Sequence, residues 1–131
     1  GNEYIWTSKL ERVSIIRKGI PYESIEGISK RINLPIKEVL YLFGLPQTTY
    51  NKKRREKSLL NGRDSEIVLL LTELVDFGIE VFNNEEDKFQ RWLKKPNYAL
   101  GGYTPESLLD STTGIQEVKN CLNRLEHGSF A

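Results

Sequence analysis

The stretch from residue 65 to residue 82 constrains the fold more than any other. Ile67, Leu70, Leu71, Leu74, Gly78 and Val81 fall on one side of a helix, and Val68, Thr72, Val75, Ile79 and Phe82 on another. A helix that is apolar on two sides has to be covered on two sides. It is either the central post of a helical fold or part of a seam between two copies of the chain.

Helical spacing recurs elsewhere and strand alternation does not. Ser8 and Gly19 bracket a first helix with Leu10, Val13 and Ile16 on one face. Pro21 suits the first turn of a second, about 22–32, with Ile25, Ile28 and Ile32 at i, i+3 and i+7. Pro35 opens a third, with Ile36, Val39, Leu40 and Phe43 inward, and Gly44 ends it. A fourth covers about 47–57, Asn61-Gly62 marks a turn, and Asp64 or Ser65 caps the two-sided helix. A short helix runs from Asn84 to about Lys95, with Phe89, Trp92 and Leu93 inward and Pro96 as its stop. Thr104-Pro105-Glu106 reads as a cap with proline at the first helical position, and Thr113 with Gln116 as a capping box. The last helix turns Ile115, Val118, Leu122 and Leu125 inward and ends at Gly128. The expected fold class is all-α, in two portions, 1–63 and 64–131.

A net charge of +1 conceals an asymmetry between those portions. Residues 1–63 carry 13 Lys+Arg against 6 Asp+Glu, a net +7, while residues 64–131 carry 6 against 12, a net −6. A basic half joined to an acidic half suggests two surfaces with different partners, the basic one suited to nucleic acid. The alternative is that the halves pack together and neutralise each other.

Several function classes drop out. The longest apolar run, Ile67–Leu71, is far below the roughly 18 residues of a membrane span. The N-terminal residues lack a signal peptide's apolar core, and the single cysteine, Cys121, cannot form an internal disulfide. A cytoplasmic protein without membrane contact is expected. One histidine, His127, gives no basis for a metal site, and Glu85-Glu86-Asp87 lacks the spacing of a calcium loop. No phosphate-binding loop, dinucleotide glycine pattern, nucleophile elbow or zinc-protease motif occurs, so neither a catalytic residue nor a cofactor is expected. A hydrolase built on Glu126-His127 lacks a second histidine or a nucleophile.

Residues 36–57 read as short helix, glycine turn, basic helix, the spacing of a helix-turn-helix. Gln47, Thr48, Thr49 and Asn51 stand at the start of the second helix, where hydrogen-bonding side chains meet base edges. Lys52, Lys53, Arg54, Arg55 and Lys57 follow, suited to phosphates, which position the protein without reading sequence. A solvated basic helix is the alternative.

The C-terminal portion carries Trp92-Leu93, then Pro96-Asn97-Tyr98-Ala99-Leu100-Gly101-Gly102-Tyr103-Thr104-Pro105, then Gly114, Val118 and Leu122-Asn123-Arg124-Leu125-Glu126-His127-Gly128. This series resembles the C-terminal toxin-binding domain of the Xre/MbcA/ParS antitoxins. Ile32-Asn33-Leu34 and Leu42-Phe43-Gly44-Leu45-Pro46-Gln47-Thr48-Thr49 are similar to the Xre-type helix-turn-helix of the same family. The resemblance implies an Xre-like helix-turn-helix bundle followed by a small helical toxin-binding domain, and the two-sided helix, about 65–82, is the candidate dimerisation helix.

It also implies an antitoxin that covers the active site of a RES-domain, NAD-degrading toxin and represses its own operon by binding operator DNA as a homodimer. Carried over by position, the toxin-facing residues are Gly101, Gly102, Arg124, Glu126, His127, Gly128, Ser129, Phe130 and Ala131. The recognition helix departs from the family where Asn51-Lys52-Lys53 stand in place of arginine, and Tyr50 occupies a position usually held by leucine, still as a core contact. With three residues after Gly128, any plug into a toxin cleft is short. Simpler readings stand beside these. Gly101-Gly102 makes only a turn, Arg124 pairs within the chain with Glu117 or Glu126, and His127 is a surface residue at a helix end. The rival function is a helix-turn-helix transcriptional regulator without a toxin partner.

Overall fold

The computed structural model describes residues 8–128. Seven α-helices follow one another: α1 (Lys9–Lys18), α2 (Ser24–Ile32), α3 (Ile36–Phe43), α4 (Gln47–Arg55), α5 (Gly62–Val81), α6 (Glu86–Leu93) and α7 (Thr112–Glu126). Two 3-10 turns, Tyr98–Leu100 and Pro105–Leu108, bridge α6 to α7. No strand occurs among the described residues.

Helix α5 is the post. It packs against α1 and α2 on one side of the chain order and α6 and α7 on the other, most extensively against α7. Val68, Leu69, Leu71, Leu74, Val75 and Gly78 are buried in a single core shared by both portions of the chain. Both apolar stripes are thus covered from within one chain, and the pattern needs no second copy to explain it. Gly78 is where α6 comes closest. A Cβ there would lie 2.2 Å from the Phe89 ring, so only glycine admits the aromatic cluster of Phe82, Phe89 and Trp92, whose ring centroids are 6.0–6.3 Å apart.

Several local expectations are corrected by the geometry. Asn61, not Asp64 or Ser65, caps α5, its side chain accepting from the Asp64 amide at 2.8 Å. Ser65 is instead fully buried, accepting from the Ile20 amide and donating to the Leu60 carbonyl. Pro21 does not enter α2. The 20–22 segment pairs antiparallel with 58–60, with Leu60 N–H donating to the Ile20 carbonyl at 2.7 Å, and Pro21 opposite Leu59 in one isolated bridge. Ser111, not Thr113, caps α7, and Gln116 donates to Asn120 rather than closing a capping box. Thr104 caps as expected, with Pro105 following it, though the turn is 3-10 only. Helices α4 and α6 are shorter at their ends than the periodicity suggests.

The first helix differs most from expectation. Ser8 caps it and Gly19 ends it, but Leu10 is 80% and Val13 38% exposed. Ile15 and Ile16 supply its apolar contact, and Arg12 reaches Glu73 of α5 at 2.8 Å. Of the expected face at 10, 13 and 16, only Ile16 packs, and Ile15 beside it takes the place of Leu10 and Val13.

The charge asymmetry is spent partly inside the molecule. Besides Arg12–Glu73, Arg31 of α2 pairs with Asp76 of α5 at 2.6 Å. From α6, Gln90 donates to the Arg31 carbonyl at 2.9 Å, and just beyond its end Lys94 donates to the Ile32 carbonyl at 3.1 Å. These two side chains satisfy the carbonyls that the end of α2 leaves open, and so tie the acidic portion to the basic one.

Candidate functional site

Helix α4 is attached by very little. Tyr50 is its one buried residue, 3% exposed, and fills the position that sequence assigned to a core contact. Each residue advances about 100° around a helix. With Tyr50 inward, Thr48, Lys52 and Arg55 point most directly away from the protein, and Thr49 and Asn51 flank them. All five are exposed, as is Gln47, and Lys53 is half-buried. Gln47 donates to Asn51 at 3.1 Å, which sets the two amide-bearing side chains side by side. Lys52 and Arg55 make no ion pair among the described residues.

Arg54 behaves differently from its neighbours. Its Nε lies 2.5 Å and its Nη2 3.3 Å from the two carboxylate oxygens of Glu26, a forked pair that fastens α4 to α2. Two of its donors are committed within the fold. The Tyr50 hydroxyl lies in the same crevice and has no well-aligned hydrogen-bond partner. Burial, and then the nearby Glu26 charge, push its pKa up to about 12.

Between α3 and α4 the chain turns through Gly44, with φ 67°, in the left-handed region that glycine adopts without cost. Leu45 and Pro46 complete a three-residue turn, and the Leu45 amide donates to the Leu40 carbonyl at 3.0 Å. Helix, turn and exposed second helix therefore have the arrangement of a helix-turn-helix.

The second candidate surface lies at the other end of the chain. Gly101 and Gly102 have φ of 69° and 85° and are exposed. They close a loop in which the Gly102 amide donates to the Asn97 carbonyl at 2.9 Å and the Asn97 amide to the Tyr103 carbonyl at 3.0 Å. The Asn97 side chain accepts from the Ala99 amide at 2.9 Å and donates toward buried Cys121 of α7 at 3.7 Å. The loop packs on α7, and Ala99 and Leu100 share one surface depression with Glu117 and Arg124. The fold thereby brings Arg124 against the loop that Gly101 and Gly102 close.

Arg124 is exposed and makes no ion pair among the described residues, so neither Glu117 nor Glu126 holds it. Glu117 accepts instead from Asn120 at 3.1 Å. Glu126, His127 and Gly128 are exposed at the end of α7, with His127 as its last cap and Gly128 left-handed at φ 75°. Ser129, Phe130 and Ala131 lie outside the described residues.

Sequence reasoning passed over two residues. Tyr98 and Tyr103, at either end of the glycine turn, are 94% and 62% exposed. Their signal was present, as two aromatics around a Gly-Gly pair, but exposure is settled only by the loop's closure. Among the described residues, no group of acids, cysteine or histidine is placed to hold a metal ion, and no helix is long and apolar enough to cross a membrane.

Known families match along nearly the whole described chain. Residues 11–73 match the antitoxin Xre-like helix-turn-helix domain, and residues 78–128 the antitoxin Xre/MbcA/ParS C-terminal toxin-binding domain. An Antitoxin Xre of Photorhabdus laumondii is 28% identical, over 88% of this chain and 78% of its own length. One of Yersinia enterocolitica is 29% identical, over 91% and 80%. A Prs ADP-ribosylating antitoxin of a Sphingobium species is 30% identical, over 95% and 83%. With both architectural halves matched in order and relatives alike in name along most of their length, this chain belongs to the Xre/MbcA/ParS-type antitoxins of toxin–antitoxin systems.

Proposed function

We propose that the chain neutralises a RES-domain, NAD-degrading toxin by covering its active site, and represses its own operon by binding operator DNA. Residues 1–63 serve the DNA function and residues 64–131 the toxin function. The observation that carries this reading is a pair of exposed surfaces built on different elements: the outward side of α4, and the Gly101-Gly102 loop against which Arg124 lies.

On the DNA side, Gln47, Thr48, Thr49 and Asn51 meet base edges, while Lys52, Lys53 and Arg55 meet phosphates. Arg54 joins them through its uncommitted donors, or by leaving Glu26. A homodimer would carry two α4 helices to successive major grooves, about 34 Å apart. Light scattering that gives a monomer mass at high concentration would remove the dimer.

On the toxin side, Gly101 and Gly102 allow close backbone approach, Arg124 forks onto a partner carboxylate, and Glu126, His127 and Gly128 lead into Ser129, Phe130 and Ala131, which enter the cleft. One relative's name couples this family to ADP-ribosylation of Prs. Transfer of ADP-ribose to a protein and hydrolysis of NAD both break the nicotinamide–ribose bond, so a transferase toxin is the second reading. Both place the pair in the cytoplasm, where NAD is.

The test is co-expression with the product of the adjoining reading frame, followed by measurement of NAD and of ADP-ribose attached to protein, with and without this chain. NAD loss that this chain suppresses, with no ADP-ribose on protein in its absence, supports the first reading, and protein modification that this chain suppresses supports the second. A neighbour that does not bind leaves the regulator without a toxin.

A further inference from the structure

The Asn97–Tyr103 loop divides its residues by task. Asn97 holds the loop to α7 and closes it through both its backbone groups. Leu100 is buried, Thr104 caps the next turn and Pro105 is buried beneath it. Gly101 and Gly102 supply the left-handed backbone. Each of these has work inside the fold. Tyr98 and Tyr103 join in the loop's backbone bonds, but their side chains hold nothing together: both rings are exposed, and neither hydroxyl has a hydrogen-bond partner among the described residues. A single exposed aromatic is ordinary. Two on one closed loop, with Arg124 free of ion pairs among the described residues and sharing a depression with Ala99 and Leu100 of that loop, are the residue types that dominate interface energetics.

We infer that Tyr98 and Tyr103, with Arg124 against the same loop, anchor the toxin interface. The inference rests on the toxin-binding reading above and adds the residues that supply the binding energy. The closed loop holds the tyrosine backbones in place before binding, and a tyrosine has few side-chain torsions left to order, so the entropic cost of docking is low. The partner that fits offers apolar pockets for two phenol rings and a carboxylate for the guanidinium. Because the chain's trailing portion is acidic overall, Arg124 also marks a local positive point that fixes the register of docking.

The experiment measures binding of the full chain to the toxin, by titration calorimetry, for the parent, for Tyr98→Ala/Tyr103→Ala and for Tyr98→Phe/Tyr103→Phe. The alanine pair should weaken binding by about 100-fold or more, and the phenylalanine pair by far less. Melting temperature and operator-DNA affinity should match the parent in both. Should the double alanine variant melt lower, Tyr98→Ala alone, at the 94% exposed position, carries the test with an expected loss of about 10-fold or more. Binding within about threefold of the parent overturns the inference while the toxin-binding reading stands. A parent that does not bind the toxin overturns both.

Discussion

Helix α4 and the Asn97–Tyr103 loop are both exposed, yet they are built in opposite ways. The helix is held by one buried tyrosine and one ion pair, and its outward side sets Lys52 and Arg55 among short polar side chains. The loop is cross-braced by backbone hydrogen bonds and by Asn97 reaching α7, and what it presents is shape. Phosphates are a forgiving target, reached by flexible charges at several distances. A cleft in a folded partner is not. The contrast suggests that the DNA surface tolerates imprecision while the toxin surface depends on backbone geometry.

The largest effect should come from the contact between α7 and the Pro105–Leu108 turn that follows the loop. At Gly114 a Cβ would fall 1.7 Å from the Leu108 carbonyl oxygen, a backbone atom that cannot step aside. Gly114→Ala should therefore cost about 3 kcal/mol or more, above the usual range for overpacking, seen as a clear drop in the thermal midpoint. Toxin binding should fail at temperatures where the parent still binds. An unchanged midpoint would mean the Pro105–Leu108 turn and α7 are not rigidly joined.

Next comes the charge on α4. Lys52→Ala and Arg55→Ala should weaken operator binding similarly on all DNA sequences. The slope of log affinity against log salt should flatten by roughly 0.9 for each phosphate no longer neutralised. An unchanged slope would take these residues off the DNA backbone.

Two smaller effects probe how α4 is attached. Glu26→Gln removes a carboxylate beside the helix and releases Arg54, so DNA affinity should rise. The exposed pair itself contributes at most about 1 kcal/mol to stability, so the thermal midpoint should hardly move. Tyr50→Phe removes a buried hydroxyl that has no well-aligned partner, and should leave stability within about 1 kcal/mol of the parent. The parent's phenol has a raised pKa in the folded state, so folding favours its protonated form. That stabilisation is complete below pH 10 and is lost as pH climbs from about 10 to about 12. Tyr50→Phe should abolish this part of the alkaline loss, as followed by circular dichroism across that range.

Legibility in the sequence followed the same division. Ile25, Ile28 and Ile32 recur at helical spacing and are buried, because a periodic apolar face has one place to go. The two-sided pattern of α5 gave its burial but not its partners, since coverage by α1, α2, α6 and α7 is long-range information. Leu10 and Val13 misled because a short helix offers two overlapping apolar faces, and the one that carries Ile15 and Ile16 is the one that packs. Arg54 reads as one more cation of a basic run, and only folding brings Glu26, 28 positions away, within reach of it. Tyr98 and Tyr103 could be located but not ranked, because their exposure comes from a loop closed by backbone bonds.

The account stands on two surfaces that work separately, and Lys52→Ala/Arg55→Ala assayed for both activities tests this most directly. We expect operator binding to collapse while neutralisation of the toxin stays at the parent's level. Loss of both together, with the fold intact, would contradict it.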